Sequence, residues 1–505
     1  MKRLIFIAQL FLLTGLALRG AEPVFSNDDL TATVIEPGVT VLETADKTTL
    51  YLVEGDSAAV LIDTGTSIKD LGGIVSRLTS RPLKVLLTHG HYDHAGNIAP
   101  FPEIYMHPAD TVLDTPSLKE YRGRMIPLAD GDTFELGNRR LDVVHMPGHT
   151  PGSVAFIDYA NSLAFTGDAF GSGQLWMQLA PQVPMATLVA SCGRMIELMA
   201  DRGVEKLYVG HYPYLKRPLG IDYLTDVDIT ARMIDAGGTS ASAPFGTDAR
   251  ILRHGAAEIV YRPDVAGLKT LKPKTLLLKL DDVHYGEGTD AVPPRWNRLV
   301  SYLSENGIHA NLGIIGFSLD SDRNDYFDWL RRTAALEGIE FWNHGYRNRM
   351  GMDETGEFET MFDTQRRALH LTDSLATAKA GLHLRAWGPH WTDCNQYTDS
   401  ALSTLESLDL IFAHPAQPEI SLYKGAVIPF NLEMEYPYHN PVYRQFLINY
   451  LGRWRDLDTF YLQGHPNSWD DARWEEFKQI IGRLKADGVR FMTISEYLGQ
   501  DSAPR

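Results

Sequence analysis

A short histidine-rich stretch places the strongest constraint on the fold of this chain. Residues 88–97 read THGHYDHAGN and hold four metal-capable side chains, His89, His91, Asp93 and His94. They follow Val85–Leu87, an apolar run typical of a buried strand. Loops at the carboxyl ends of strands carry the chemistry of α/β proteins, and imidazole and carboxylate groups suit zinc. The stretch therefore predicts an α/β fold with a metal site at a strand end.

Three further metal-capable residues stand in loops farther along the chain. They are His149 in MPGHTPGS, Asp168 in FTGDAF and His211 in VGHYP. Strand-like runs precede Asp168 and His211, and the loop of His149 lies between two such runs. The stretch from residue 28 to residue 261 alternates short strands with helical patterns, which is typical of a layered α/β domain.

The motifs THGHYDH, GHTPGS, TGD and GHYP, in this order, resemble the metallo-β-lactamase superfamily over the whole first domain. The resemblance implies a four-layer αββα sandwich with two zinc ions at the edge of the paired sheets. By position, one ion is held by His89, His91 and His149. The other is held by Asp93, His94 and His211, and Asp168 bridges the two.

The resemblance also implies the chemistry. Two nearby cations lower the pKa of a water between them, and Asp93 orients this nucleophile as a catalytic residue. Asp63 matches a strand-end aspartate of the family and is interpreted as structural. A bridging aspartate such as Asp168 is typical of glyoxalase II and general hydrolases, whereas β-lactamases usually have cysteine or serine there. We therefore predict hydrolysis of an ester, amide or related bond, with β-lactamase activity as the alternative.

The length and composition of the chain limit the number of domains and the class of partner. A chain of 505 residues predicts two domains, which we place at 28–265 and 272–500. The net charge of -17 argues against nucleic acid as a partner, because phosphate binding needs a positive surface. Cys192 and Cys394 are too far apart in sequence to indicate a disulfide scaffold or a cysteine zinc site. A small-molecule or glycan-derived substrate is the expected partner.

The first 21 residues have the pattern of a signal peptide. A basic start, MKR, precedes the apolar run LIFIAQLFLLTGLAL, which is short for a membrane span. Cleavage after Ala17, Gly20 or Ala21 fits the pattern, and an uncleaved membrane anchor is the alternative. The prediction is a periplasmic or secreted protein without stable membrane insertion after cleavage.

The second half repeats a strand and helix rhythm typical of a parallel β/α barrel or a doubly wound sheet. Polar residues end three of its strands: Asp281 and Asp282, His344, and His465. Strand ends converge on one face of a barrel, so these side chains are expected to meet. The pattern resembles the polysaccharide deacetylase (NodB-homology) superfamily over about residues 272–498, which implies an irregular (β/α) barrel.

By position the resemblance makes Asp281 the general base, His465 the general acid, and Asp282, His344 and Asn348 the ligands of one divalent metal. The family has histidine where Asn348 stands, and a neutral amide binds zinc poorly beside imidazole. His284 or His390 can substitute, and Arg385 stands where the family orients its catalytic aspartate. Two interpretations stay open: an active metal-dependent deacetylase, or an inactive glycan-binding domain.

Overall fold

The computed structural model describes residues 22–238, 241–242, 249–263, 274–347, 354–391, 393–413, 420–429, 431–450 and 457–500. The chain divides into two compact units, Met1–Cys192 with Arg202–Leu268 and Gly193–Asp201 with Lys269–Arg505. The predicted signal peptide, residues 1–21, lies outside the described residues. Among the residues that are described, no helix combines the length and the apolar character needed to cross a membrane.

The first sheet of the first unit contains eight strands that pair in chain order. They are β1 (Phe25–Ser26), β2 (Leu30–Glu36), β3 (Val39–Thr44), β4 (Thr49–Glu54), β5 (Ala59–Ile62), β6 (Leu83–Leu86), β7 (Glu103–Met106) and β8 (Arg124–Pro127). Pairing is antiparallel from β1 to β5 and parallel from β5 to β8. The loops that follow β5 and β6 therefore leave the sheet at the same edge.

A second sheet has the strand order β14-β12-β11-β10-β9. Its strands are β9 (Thr133–Glu135), β10 (Arg140–His145), β11 (Val154–Asp158), β12 (Leu163–Gly167) and β14 (Lys206–Val209). β12 and β14 are parallel, and both run in the direction of β10 because β11 is antiparallel to β10 and β12. The loops after β10, β12 and β14 thus leave one edge together. A third sheet contains β13 (Gln174–Trp176), β15 (Ala241–Ser242), β16 (Arg250–His254) and β17 (Ala257–Tyr261).

Successive side chains of a strand point to opposite faces of the sheet, and the apolar ones build the core of the first unit. In β4, Leu50 and Leu52 point to the outer face of the first sheet, where they join Ile74 of helix α1 (Leu71–Leu78) in one apolar cluster. Tyr51 and Val53 point the other way, into a cluster that contains residues of the second sheet. The first two sheets therefore pack face to face, as the resemblance implies.

The remaining helices of the first unit lie between its strands in the chain. They are α2 (Tyr92–Ala95), α3 (Pro116–Glu120), α5 (Ile221–Asp235) and the first part of α4 (Met185–Asp201), whose residues Gly193–Asp201 belong to the second unit. The pattern of residues 186–201 predicts a helix, and α4 confirms it. Helix α5 packs on β16 and β17.

The second unit is built on a curled parallel sheet. Its strands are β18 (Thr275–Val283), β19 (Ala310–Ile314), β20 (Ile339–Asn343), β21 (Ala386–Trp387), β22 (Leu410–Phe412), β23 (Ala426–Ile428), β24 (Thr459–Gly464) and β25 (Arg490–Phe491). The order is β23-β22-β21-β20-β19-β18-β24, with β25 also paired to β18. A parallel bridge between Asn431 and Tyr461 brings the chain after β23 beside β24, which curls the sheet.

The helices of the second unit follow the predicted rhythm, with some shorter than expected. They are α6 (Pro294–Glu305), α7 (Asn324–Ala334), α8 (Phe362–Leu375), α9 (Thr398–Leu402), α10 (Tyr443–Ile448), α11 (Asp471–Ala486) and α12 (Ile494–Gln500). The pattern of residues 358–377 predicts a helix that starts at Phe358. This start is wrong, because a 3-10 turn at Glu357–Glu359, capped by the side chain of Glu359, precedes α8. The pattern of residues 441–456 also predicts a helix, which α10 confirms in part, and residues 451–456 lie outside the described residues.

Candidate metal centre

The seven ligands predicted in the first unit come together at the sheet edges described above. They form two groups, His89, His91 and His149, and Asp93, His94, Asp168 and His211. Within each group every residue offers one nitrogen or oxygen atom that can bind a metal, and these atoms all lie within 4.8 Å of one another. Both groups therefore have the residue types and the spacing of a metal site.

The first group contains three imidazole rings. The Nδ1 atom of His91 lies 2.9 Å from the Nε2 atom of His149. The Nε2 atom of His89 is buried and has no hydrogen-bond partner. Three nitrogen atoms thus face one small space, where a cation can accept all three lone pairs.

Asp168 connects the two groups. One carboxylate oxygen, Oδ2, lies 3.2 Å from His211 Nε2, 3.6 Å from His94 Nε2 and 3.9 Å from His149 Nε2. The other oxygen, Oδ1, is buried and has no hydrogen-bond partner. The position of Asp168 is therefore that of a carboxylate able to contact an ion in either group.

Hydrogen bonds behind the site orient two of the histidines. His149 donates from Nδ1 to the carbonyl oxygen of Trp176 at 2.7 Å, and His211 donates from Nδ1 to the carbonyl oxygen of Lys47 at 3.1 Å. A carbonyl oxygen only accepts, so Nδ1 must carry the proton in both rings. In the neutral imidazole the Nε2 lone pair then points into the site, as metal binding requires.

Asp63 orients His94 and the start of the histidine loop. Its Oδ2 atom accepts from His94 Nδ1 at 2.8 Å and from the Thr88 hydroxyl at 2.8 Å, while Oδ1 accepts from the Thr88 amide at 2.7 Å. Asp63 is only 2 % exposed. This carboxylate–histidine pair leaves His94 Nε2 facing the site, where it is buried without a hydrogen-bond partner.

Asp110 holds two ligand loops together, and sequence reasoning missed it. Its buried carboxylate accepts from the amides of Gly90 and Gly152 and from the hydroxyl of Thr150. These bonds join the loop of His91 to the loop of His149. The available sequence signal is weak: Asp110 stands shortly after β7 in a polar stretch, HPAD, that has no metal-ligand spacing.

The electrostatics of the two groups differ. Burial and the neighbouring histidines lower the pKa of His91 to about 3 and hold the pKa of His89 well below its usual range. Burial opposes charge on His211 as well, but the carboxylate of Asp168 raises its pKa to about 10. Burial likewise raises the pKa of Asp168, yet the nearby histidine charges hold it well below the usual range. The first group thus offers neutral imidazoles, and the second attracts positive charge.

Several buried polar atoms of this site have no hydrogen-bond partner, and a bound metal ion would satisfy them. An unsatisfied buried polar atom costs about 1–3 kcal/mol, and native proteins have few of them. Three such atoms, on His89, His94 and Asp168, belong to the two groups. The imidazole and carboxylate donors are those of a site for a divalent transition metal. The clusters can therefore bind metal ions.

A side chain at Gly210, the residue before His211, would collide with this centre. A Cβ atom at Gly210 would lie 2.2 Å from Asp168 Oδ1 and 2.6 Å from His94 Cε1. We expect Gly210→Ala to displace these groups and to lower metal affinity by about 10- to 100-fold. Zinc titration calorimetry measures the change. Gly220→Ala, whose Cβ has its nearest neighbour at 3.9 Å, is the matched control, and equal affinities in the two variants would contradict the prediction.

Three residues that stand near these ligands in the sequence have different surroundings. His145 stacks on His107 with ring centroids 4.1 Å apart, and its Nε2 lies 2.9 Å from the Pro151 carbonyl oxygen. Within the described part of the chain, neither metal-capable group of the first unit includes it. Met177 is buried, whereas the Trp176 side chain is 40 % exposed.

The residues predicted in the second unit lie at one edge of the curled sheet. Asp281 and Asp282 lie at the end of β18, His344 follows β20, and His465 follows β24. A metal-capable group forms there from Asp282, His344 and His390. Asn348 lies outside the described residues, so its predicted role as a ligand stays a prediction.

Two hypotheses for this edge need correction. His284 lies 2.7 Å from the Tyr285 carbonyl oxygen through Nδ1 and 3.2 Å from Asn467 through Nε2, and it is not in the metal-capable group found among the described residues. Arg385 does not orient Asp281, because it pairs with Asp409 at 2.7 Å.

The cation beside Asp281 is Lys279, which sequence reasoning missed. Lys279 and Asp281 lie two residues apart on the same face of β18, and their charged atoms are 2.6 Å apart. A single lysine within the apolar run TLLLKL was the available signal, because an unpaired charge is rarely buried in a central strand.

Comparison with known proteins gives matches for the first unit. The family model described as "Metallo-beta-lactamase superfamily" matches residues 44–211. The human protein "Acyl-coenzyme A thioesterase MBLAC2" is 31 % identical over 212 residues, which cover 34 % of this chain and 75 % of the relative.

Two further similarities cover smaller parts of this chain. A "Hydroxyacylglutathione hydrolase" of Blochmanniella pennsylvanica is 32 % identical over 115 residues, which cover 23 % of this chain and 43 % of the relative. The solved structure described as "TTHA1623 in a di-iron-bound form" is 30 % identical with a TM-score of 0.28, and the match covers 32 % of this chain and 87 % of that chain.

Proposed function

Because the chain belongs to the metallo-β-lactamase superfamily, whose relatives named above are hydrolases, we propose that its first unit is a dinuclear zinc hydrolase. One observation carries the proposal: the two groups of ligand atoms face each other across Asp168. In this proposal one zinc is held by His89, His91 and His149. The other is held by Asp93, His94 and His211, with Asp168 between them.

The groups around the site have different proposed roles in hydrolysis. When bound, two zinc ions lower the pKa of a water and polarise the bond that is cleaved. The side chain of Asp93 is 39 % exposed, compared with 13 % for Asp168. Asp93 therefore faces the solvent side, where it can orient the attacking water and accept its proton. Asp63 and the backbone carbonyl groups behind the histidines keep the imidazole rings in place.

The substrate that we propose is an acyl thioester. Support comes from the two hydrolase relatives, whose names specify acyl-coenzyme A and hydroxyacylglutathione. Exposed aromatic side chains also stand beside the ligands: Tyr92 follows His91, Trp176 accepts from His149 through its backbone, and Tyr214 lies 6.0 Å from the His211 ring. Apolar surface at the rim of a polar site suits an acyl chain.

A panel of substrates tests this proposal. We expect the zinc-loaded full chain to hydrolyse acyl-coenzyme A or acylglutathione thioesters faster than a chromogenic cephalosporin. His211→Ala should lose this activity, whereas His254→Ala should retain it. Absence of thioester hydrolysis by protein that carries two zinc ions would contradict the proposal, and faster cephalosporin turnover would favour the β-lactamase alternative.

For the second unit we propose a deacetylase-type (β/α) barrel that acts on a glycan-derived substrate. The support is the curled parallel sheet and the convergence of its polar strand ends. Release of acetate from acetylated oligosaccharides, lost in Asp282→Ala, would agree with this role. Glycan binding without acetate release would favour the inactive glycan-binding alternative.

We also propose that residues 1–21 direct export and are removed, which makes the protein periplasmic or secreted. The support is the basic and apolar pattern of the sequence. Expression in a bacterial host followed by N-terminal sequencing tests it. A mature chain that begins after Ala17, Gly20 or Ala21 is the expected result, and a chain that retains Met1 in the cytoplasm is the opposing one.

A further inference from the structure

A cleft of about 280 Å³ lies at one edge of the first sheet, between the β1–β2 turn and the β3–β4 turn. Strands β1 to β5 are antiparallel in chain order, so both turns lie at the edge where β5 ends and the loops of the metal ligands begin. The amide of Ala45 donates to the carbonyl oxygen of Asp29 at 3.0 Å and holds the two turns together. The cleft therefore belongs to the same edge of the sheet as the candidate metal centre.

The β3–β4 turn connects this cleft to His211. Lys47 lies in this turn and lines the cleft, and its carbonyl oxygen accepts from His211 Nδ1 at 3.1 Å. The Nζ atom of Lys47 lies 5.0 Å from the centre of the Tyr214 ring, and the centre of that ring lies 6.0 Å from the centre of the His211 ring. Pro213 also lines the cleft. A ligand in the cleft thus lies beside the loop that presents His211 to the metal centre.

The cleft is lined by charged side chains of both signs, Asp28, Asp29, Glu43, Lys47 and Lys216. Both carboxylate oxygens of Glu43 accept from Lys216 Nζ at 2.9 Å, and Asp29 Oδ2 accepts from the backbone amide of Lys69 at 2.9 Å. Asp28 and Lys47 are exposed, and within the described residues neither side chain forms an ion pair. One carboxylate and one ammonium group of the cleft are therefore available to a ligand.

The charges of the cleft favour one class of thioester over the other. Carboxylates outnumber ammonium groups there by three to two, so the cleft repels a polyanion. Coenzyme A is such a polyanion, because it carries phosphate groups. Glutathione instead ends in a γ-glutamyl group, whose ammonium and carboxylate groups share one carbon atom. This zwitterion matches the opposite charges of Asp28 and Lys47.

The length of glutathione also fits the position of the cleft. Its sulfur atom belongs to the middle residue, and an extended tripeptide spans roughly 10 Å. The γ-glutamyl end therefore reaches several ångströms from a thioester carbon at the metal centre. The separations of Lys47 from Tyr214 and of Tyr214 from His211 are of the same scale. The leaving thiol can thus occupy the cleft while the acyl group stays at the metal centre.

On these grounds we propose that the cleft is a binding subsite for the γ-glutamyl end of a glutathione thioester. Lys47 binds the α-carboxylate, and Asp28 binds the α-ammonium group. The subsite rests on the thioester hydrolysis proposed for the first unit, and it selects glutathione over coenzyme A as the leaving thiol. Both residues bind far from the scissile bond, so they determine specificity and are not catalytic residues.

Binding of S-hexylglutathione to the zinc-loaded full chain, measured by calorimetry, tests the proposal without turnover, because a thioether is not hydrolysed. We expect Asp28→Asn and Lys47→Asn each to weaken binding by about 2- to 5-fold, which is the value of an exposed ion pair. Asparagine replaces Lys47 because the backbone there has a φ of 68°, which asparagine tolerates. Asp28→Lys should weaken binding by about 10-fold or more, because attraction becomes repulsion, and should strengthen binding of S-hexyl-coenzyme A.

A modified probe and a matched variant separate the two contacts from general effects. Acetylation of the probe's amino group removes its positive charge, so Asp28→Asn should then cause no further loss, whereas Lys47→Asn should still weaken binding. Lys478→Asn, which removes a surface lysine paired with Glu475 on α11 of the second unit, should bind S-hexylglutathione as the wild type does. Circular dichroism and zinc content show that each variant is folded and loaded.

Several results would overturn the proposal. They are absence of S-hexylglutathione binding by the wild type, unchanged affinity in folded Asp28→Asn and Lys47→Asn, and tighter wild-type binding of S-hexyl-coenzyme A. The substrate panel tests the proposed hydrolase separately. Thioester hydrolysis without binding in the cleft would contradict the subsite alone, whereas binding that both variants weaken, in a protein without turnover, would contradict the hydrolase alone.

Discussion

Asp168→Ala is expected to lower kcat/KM for thioester hydrolysis by about 10³-fold or more, which corresponds to about 4 kcal/mol of transition-state stabilisation. Within the described part of the chain, Asp168 is the carboxylate with an oxygen within 4 Å of histidine nitrogens from both groups. Removing it leaves the imidazoles but no anion between two cations, so mutual repulsion should expel one ion. The effect therefore combines lost metal with lost positioning of the water.

Steady-state kinetics and zinc content of the same preparation measure this effect. Asp114→Ala is the matched control, because its side chain is 90 % exposed and forms a surface ion pair with Lys119. The control should keep both activity and zinc. An Asp168→Ala protein that binds the wild-type amount of zinc and keeps more than about a tenth of the activity would show that Asp168 does not bridge the ions.

Asp63→Asn is expected to lower activity by about 10²-fold although Asp63 touches no metal position. Asp63 receives three hydrogen bonds, from the Thr88 amide, the Thr88 hydroxyl and His94 Nδ1. An asparagine offers one oxygen, so its amide group must face at least one of these donors. If it faces His94, the ring places its proton on Nε2, which then points into the site and cannot bind a metal. If it faces Thr88, the start of the histidine loop shifts.

Zinc titration and thermal unfolding of the same variant distinguish a metal effect from a folding effect. An unpaired buried donor also costs about 1–3 kcal/mol of stability. Asp158→Asn is the matched control: Asp158 is fully buried, pairs with Arg139 at 3.0 Å, and lies at the end of β11 opposite to the ligand loop. It should lose stability and keep zinc affinity. Equal zinc affinities in Asp63→Asn and Asp158→Asn would contradict the orienting role.

The positions of the first metal centre were predictable because its ligands stand in loops that follow strands in the chain. In an α/β fold the end of a strand is also a position in space. The resemblance of the motifs to a known family then implied that His89, Asp168 and His211 converge. The three residues do lie together in the folded chain. Asp110 was not predictable, because its role is to accept from Gly90 and Thr150, which are close only after the two sheets pack.

In the second unit the sequence indicated the polar strand ends but not their partners. Asp281, Asp282, His344 and His465 were identified from strand ends, but the partner of Asp281 was assigned to Arg385 when it is Lys279. The sequence also left His284, His390 and Asn348 as competing third ligands. Only the order of the strands in the sheet shows that His390 lies against His344, because β20 and β21 are neighbours.

Local sequence was sufficient to indicate candidate metal ligands, because ligand type, spacing and the preceding strand all lie within a few positions of each other. Tertiary structure alone decided which of those residues share a site and which atom each one presents. Hydrogen bonds to Trp176, Lys47 and Asp63 select the nitrogen that faces the first centre, and Gly388 does so for His344. These contacts join segments far apart in the chain, so they exist only once the sheets have formed and excluded water.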